Sequence, residues 1–467
     1  MYQLVVLNLA PAGTDHGCDA DDPPFFSERW WEIFLGVCDD AEELGVSLWF
    51  YDQLGFSGAD IQARLVARQP AFAGRRIQRL TVTGTGQLVL RCPAGGRAIA
   101  ALLEPVDGGP PQSVTTASDR AECDALMESR LSLFYETDHG FDYLSTSACE
   151  ALLDQVHGEF ERRLGDRLGR VVVGSFQDEL PSVPTWSADF ADRFSARYGY
   201  DLRDRLGALW DLDVPDGQRV RRDYHALRAS LAEEAFFRPL HEWHEKHRLI
   251  VGCDQQDPAR AGRPVEGVQL YADYARTHRW FSAPGSDHHG DARIHSSLAH
   301  LYERPRTWIE AFHSTGWGGT LEETFDWLLP WLRTGATLYN PHAVYYSTRA
   351  GWWEWAPPST DWRQPYWRHH KSFADAVTRL CAALSLGRHV CDVAVLFPNA
   401  TAQADQTLDG PGPAAVRAQE VYPGADRGRD LVRTGARCPG SRANRRRRDR
   451  RRLPRRRRGG RRAVHRG

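Results

Sequence analysis

Two neighbouring carboxylates, Asp178 and Glu179, stand where an apolar run ends, in VVVGSFQDELPSVPTW (171–186). A third, Glu310, ends RPRTWIE (304–310). Carboxylates facing each other across a cleft suit cleavage of a glycosidic bond. One, protonated, donates to the leaving oxygen, and the other activates water or attacks carbon. Burial and mutual repulsion can hold one of them protonated near neutral pH. This reading makes Glu179 the general acid and Glu310 the general base, with the roles exchangeable. Each also has a plain reading. Glu179 could serve the N-terminus of the next helix, and Glu310 could pair with Arg304 or Arg306.

Further polar residues recur at ends of apolar runs. Asp52 follows VSLWFY and either lines the pocket or holds its own loop. Asp178 could bind a sugar hydroxyl or a metal, or cap the next element. Asp254 ends LIVGCD and has the same choices. Asp287 precedes His288 and His289 in PGSDHHGD. Adjacent side chains of an extended segment point opposite ways, so these two His do not imply a shared metal. His342, in YNPHAVYYS, reads as a hydroxyl donor or as a hydrogen-bonded core residue. The chain holds 16 Trp, dense in its second half. Indoles stack on the C–H faces of sugars and donate through their N–H. Most should be core, but the density suggests an aromatic-lined cleft, and Trp317 is counted with the substrate-binding residues.

These positions share a unit: strand, then acid or His, then helix. It recurs at Asp52, Glu179, Asp254, Glu310 and His342. In a (β/α)8 TIM-type barrel the strand C-termini converge on one face, where the chemistry sits. The expected fold is therefore α/β, a barrel begun by residues 1–73 and continued by 141–388. Residues 74–140 read as an inserted β-rich subdomain, in which RRIQRLTVTGTGQLVLRC alternates and turns like a hairpin. A further strand is expected near 268–271. Residues 389–426, opening with the apolar VCDVAVLFP, read as the start of an accessory domain. Residues 427–467 read as a disordered tail.

That tail divides the charge. It holds 19 Arg and two acids, so the remaining chain carries 40 basic against 59 acidic residues. An acidic body argues against nucleic acid as the main partner. The tail reads either as a basic arm for polyanions or, the favoured reading, as translation of a shifted frame in a GC-rich gene. The nine Cys are scattered without a CxxC pair, which argues against a disulfide framework or zinc cluster. No apolar run reaches the roughly 18 residues of a membrane span, and no signal peptide is evident. The expectation is a cytoplasmic protein with no membrane partner. No P-loop or GxGxxG motif supports a nucleotide.

Several stretches in order resemble one family. ARIHSSLAHLYERPRTWIEAFHSTGW, GATLYNPHAVYYS, LGVSLWFYDQLGFSGADIQARLV and GSFQDELPSVPTWSADFADRFSARYGYDL look like the α-L-rhamnosidase-related proteins of glycoside hydrolase family 106. The likeness covers roughly residues 25–70 and 145–400, in a chain truncated or frame-shifted at its C-terminus. It implies a (β/α)8 catalytic domain with accessory β-domains. It also implies inverting hydrolysis of an α-L-rhamnoside or related glycoside, and a bound calcium. Glu179 matches the family's strand-end acid, Glu310 the acid of the EAF segment, and His342 a pocket His. The family's further acids on intervening strands lack secure counterparts, with Asp254 and Asp287 standing nearest. The expected function is a glycoside hydrolase with an oligosaccharide or glycoside substrate. The alternative is a carbohydrate-binding protein on a degenerate barrel.

Overall fold

The computed structural model describes residues 2–6, 23–56, 59–287, 292–311, 319–344 and 360–422. Trp317, His288, His289 and the Arg-rich tail lie outside them.

Short buried strands alternate with helices. Strand β1 (Tyr2–Val6) leads towards helix α1 (Glu28–Leu44), which Ser27 caps by accepting from the Trp30 amide. Gly45, at φ +66, ends α1 and turns the chain into β2 (Val46–Tyr51). Helix α2 (Ile61–Arg68) follows. An antiparallel sheet comes next, with strands β3 (Ala73–Arg91), β4 (Arg97–Pro105), β5 (Gln112–Val114) and β6 (Arg120–Phe141) in the order β3-β6-β4-β5. The expected hairpin at TGTG does not form, because β3 runs straight through it. The register shifts between Gly84 and Gly86, and Gly86 takes φ +75. Glycine there makes a bulge rather than a reversal, since β6 pairs with β3 on both sides of it.

The parallel pattern resumes with β7 (Val172–Asp178), β8 (Ile250–Asp254), β9 (Gly285–Ser286), β10 (Trp308–Ala311) and β11 (Leu338–Pro341). Strands β1-β2-β7-β8 form one parallel sheet and β9-β10-β11 another. A parallel bridge between Gly252 and Ala283 joins them, with the Ala283 amide donating to Val251 at 2.9 Å. The result is a mixed α/β fold with seven parallel strands in succession. Among the described residues no pairing links β11 back to β1, so the expected eight-stranded closed ring is met only in part.

Two further sequence expectations fail. Residues 264–271 form a helix, not a strand. Its Pro264 starts the helix, and buried Val265, Val268 and Tyr271 recur three apart, a helical spacing. Residues 390–398 form no strand either. Val390, Val393, Val395 and Leu396 are exposed there, and an apolar run becomes a strand only against a sheet edge that satisfies its backbone.

Val5, Trp49, Tyr51, Val173, Phe176, Ile250, Ala283, Trp308 and Leu338 form one interior cluster supplied by the parallel strands. Trp308 stacks on Phe176 at 4.6 Å and lies 5.4 Å from Trp49. Glycines make room for the indoles. A Cβ on Gly174 would stand 2.6 Å from the Trp49 ring, and one on Gly252 would stand 3.0 Å from Trp308 and 3.2 Å from Trp49. Removing so large a buried ring leaves a cavity the neighbours cannot refill. Trp308→Ala is predicted to cost about 3–5 kcal/mol, measured by urea denaturation, and a cost under about 1 kcal/mol would show the cluster is not the packing centre of the strands.

Candidate functional site

Side chains two apart on a strand share a face. This rule sets Tyr51 beyond Trp49, Asp178 beyond Phe176, Asp254 beyond Gly252 and Glu310 beyond Trp308. The interior cluster is thus the floor beneath a layer of polar groups at the strand C-termini. Asp178 and Asp254 are register partners on adjacent strands.

One guanidinium ties this layer together. Arg260 lies six residues past Asp254, in the loop after β8, and is buried. Its Nη1 donates to Asp254 Oδ2 at 3.0 Å and to Glu179 Oε1 at 3.2 Å. Its Nη2 lies 3.2 Å from Asp287 Oδ2. The Asp287 amide in turn donates to Asp254 Oδ1 at 3.0 Å. Asp178 stands apart from this pairing and accepts from the Tyr51 hydroxyl at 2.6 Å. Glu179 takes φ +44, the left-handed region that a side chain seldom adopts. Its amide donates to Asp254 O at 2.8 Å, and the next amide, Leu180, donates to Gln255 Oε1 at 2.9 Å. These bonds hold the turn that brings Glu179 over the strand ends. Gly55 lets the loop after β2 close on the same turn, because a Cβ there would fall 1.7 Å from the Asp178 carbonyl oxygen.

Glu310 is buried, and its Oε2 has no hydrogen-bond partner. Neither arginine proposed as its partner reaches it. Arg304 donates to Arg279 O and meets His241, while Arg306 donates to Pro305 O. Arg260 Nε and Trp308 Nε1 are also buried without partners. Buried polar atoms are normally satisfied, so three orphans bordering one face suit a place where water or a ligand completes the bonding.

The electrostatics follow from crowding. Burial first, then the neighbouring Asp178 and Asp287, push Glu310 well above the usual carboxylate range, with Arg260 opposing. Burial also lifts Asp254 well above that range, against the pull of Arg260. Burial takes Asp178 up to about 8, with the Tyr51 hydrogen bond working the other way. Glu179, whose side chain keeps about a third of its exposure, is raised by burial and lowered by Arg260.

The other expected residues divide. Asp52 is buried and spends both oxygens on the protein, accepting from the Leu54 amide and from Gln177 Nε2, each at 3.0 Å. Burial lifts it to about 7. Gln177 in turn accepts from Gln255 at 3.2 Å. This row lies behind the acidic layer and holds the loops. His342 is buried just past β11, its amide donating to Ala311 O at 3.1 Å. Sequence reading missed Arg260 and Tyr51. The available signal was charge balance, because several buried acids at one face require a nearby cation, and the loop after Asp254 carries Arg260.

The calcium that the family resemblance implies does not fit these groups. Calcium takes six to eight oxygens at about 2.3–2.6 Å. Here the three converging carboxylates share a guanidinium, and among the described residues no group of three His, Cys, Asp or Glu is arranged to hold a metal ion. A hollow of about 1100 Å³ lies elsewhere, bordered by Leu54–Gly55, α2, 181–185 and 406–410. None of the acids above lines it, and its Arg228 is already spent on Pro184 O, Val183 O and His225. The acids singled out above gather in the strand-end layer instead.

No protein-family model matches the chain, and no curated protein sequence matches it. Among solved structures, a rhamnosidase from Novosphingobium sp. PP1Y is similar in fold, with a TM-score of 0.52 at 11% identity. The likeness covers 78% of this chain and 55% of that one, so the chain spans about half the neighbour's length. The likeness is one of fold. Among the described residues no helix is long and apolar enough to cross a membrane.

The raised carboxyls set a direction for stability against pH. Folded Asp178 keeps its proton to about pH 8, whereas an unfolded Asp loses it near pH 4. Between those values the folded state binds more protons, so its contribution is greatest at low pH and is lost as pH rises through about 8. Buried His225, His244 and His278, held down to about 3, act oppositely but only below their unfolded value, about 6.5. Melting temperature should therefore fall from pH 6.5 to 8.5, and Asp178→Asn should make the fall shallower. A wild-type profile flat over that window would contradict the protonated cluster.

Proposed function

We propose that this chain is a glycoside hydrolase acting on α-L-rhamnosides or related deoxy-sugar glycosides, with Glu310 as general acid and Glu179 as general base. The observation that carries the reading is the contrast between these two acids at one strand-end face. Glu310 is buried, pushed strongly towards its protonated form and has an unspent oxygen. Glu179 is partly exposed and paired with Arg260; burial raises it too, but the guanidinium opposes that push, and it is not driven as far towards its protonated form as Glu310. Environments that push two carboxyls apart assign the acid and the base. This reverses the first assignment from sequence, within the exchange that assignment allowed.

In the reaction, Glu310 gives its proton to the glycosidic oxygen as the bond from that oxygen to the anomeric carbon breaks. Glu179 takes a proton from water as the water oxygen bonds to the same carbon from the opposite face. The configuration inverts, and both products leave as neutral hydroxyl compounds. The acids are then restored when Glu179 returns its proton to solvent and Glu310 regains one. Arg260 pulls Glu179 towards its ionised form against burial, and aims it. Asp178 and Asp254 would bind sugar hydroxyls above the Trp308 floor. The similar fold of a rhamnosidase supports this substrate class.

A second reading, a sugar-binding protein without turnover, draws on the same ion pair, since a carboxylate held by Arg260 is less free to accept a proton. Turnover separates the two. On an aryl α-L-rhamnoside panel, Glu310→Gln should lower kcat by about 10²–10⁴-fold, the range of a lost general acid. The loss should shrink on substrates whose leaving group needs no proton. Wild-type binding of rhamnosides without hydrolysis would establish the second reading, and full activity in Glu310→Gln would remove that residue from the mechanism.

A further inference from the structure

We infer that the hollow bordered by Leu54–Gly55, α2 and residues 181–185 and 406–410 is a second saccharide-binding site, which takes neutral sugar units of a glycoside apart from the strand-end layer. The choice of a glycoside rests on the proposed function, whereas the site rests on the lining of the hollow.

At about 1100 Å³ the hollow has room for an organic ligand, since ligand pockets run to roughly 300–1,000 Å³. Its walls are pinned by their own hydrogen bonds. Thr407 Oγ1 donates to Gly410 O at 2.7 Å and accepts from the Gly410 amide at 3.1 Å, and the Leu408 amide donates to Leu209 O at 2.7 Å. On the α2 side, Gln62 Nε2 donates to Leu54 O at 2.6 Å and to the Tyr143 hydroxyl at 2.9 Å. One wall residue is left incomplete. Gln406 lines the hollow and is 3% exposed. Its Nε2 donates to Thr407 O at 2.7 Å, which fixes the two ends of the amide, and its Oε1 has no partner. Buried acceptors are normally satisfied, so the group missing here is an O–H or N–H donor. Gln62 has spent both amide hydrogens, so its oxygen is what it has left to offer. The buried cation of the wall, Arg228, is already spent. The exposed rim sets Arg76 against Asp60 and Asp409. An anion such as phosphate therefore meets no excess of positive charge, whereas a sugar brings hydroxyl donors to the free acceptors. Val66, Pro181, Pro184 and Leu408 supply apolar lining for its C–H faces. Gly55 lines the hollow and also packs on the Asp178–Glu179 backbone, so the hollow and the acid layer share one loop.

The test is binding calorimetry with rutinose, a neutral rhamnose–glucose disaccharide, on the full chain carrying Glu310→Gln to slow cleavage. Ala63 is an exposed α2 residue on the hollow, and Ala63→Trp fills the space from outside. It should weaken rutinose binding by about tenfold or more, and leave hydrolysis of an aryl α-L-rhamnoside by the otherwise native chain as it is. Gln406→Leu removes the free acceptor and should weaken rutinose by about tenfold, the worth of one hydrogen bond. Inorganic phosphate should give no heat of binding. Rutinose affinity unchanged in Ala63→Trp, or no rutinose binding at millimolar concentration before that change, overturns the inference. Phosphate binding that Ala63→Trp removes also overturns it. If Ala63→Trp does not fold, Gln406→Leu decides in its place. If aryl rhamnosides are not hydrolysed while Ala63→Trp still removes rutinose binding, the proposed function fails and this inference stands.

Discussion

The site depends on one buried arginine shared by three carboxylates. Asp254 and Asp287 are almost fully buried, and Glu179 is partly so. Burying unpaired charge costs several kcal/mol per ion, so these acids could not occupy one face without Arg260. The guanidinium suits the task because it is always charged and presents its donors in a rigid fork. Five carboxyls crowd round it, counting Asp178 and Glu310. One positive charge cannot balance five negative ones. Burial first, and then this unbalanced negative charge, hold Asp178 and Glu310 far towards their neutral forms. A protonated carboxyl of this kind is what the proposed glycoside chemistry requires.

The rest of the fold serves to aim these groups. Strand alternation stacks them over an aromatic floor of Trp49, Phe176 and Trp308, and glycines at 174 and 252 let the two indoles lie close. The left-handed turn at Glu179 is held through its own amide and the next, by Asp254 and Gln255. Behind the acids, the row Asp52, Gln177 and Gln255 is bonded within itself. A layer of polar groups is only as precisely placed as the shell beneath and behind it. Here the floor is packing and the back wall is hydrogen bonding.

The antiparallel sheet is tied to the strand-loop side by particular contacts. Arg79 pairs with Asp211, the Ile77 amide donates to Thr185, and Arg75 bridges in backbone pairing to Trp186. Thr185 and Trp186 belong to the segment that follows Glu179. The sheet therefore buttresses the loop carrying a site residue. Its far half is packed by its own small cluster, including Leu88, Leu131 and Leu133.

What the sequence by itself determined is local. The run Val46–Tyr51, the helix Glu28–Leu44 with its Ser27 cap, and the helix Trp367–Leu384 follow from period and capping, which depend on neighbours in the chain. The strand-end positions of Asp178, Asp254 and Glu310 were equally legible, because an acid closing an apolar run is a local pattern. Two misreadings came where a distant partner decided the outcome. TGTG became a bulge because β6 runs alongside it, and 390–398 stayed out of a sheet for want of an edge. Only the tertiary structure decided that Asp52 holds a loop, that Glu310 meets neither Arg304 nor Arg306, and that Arg260 gathers three acids. Those outcomes depend on burial and on charges brought within about 4 Å from different strands, where removal of water makes their interactions strong. No sequence spacing encodes that distance.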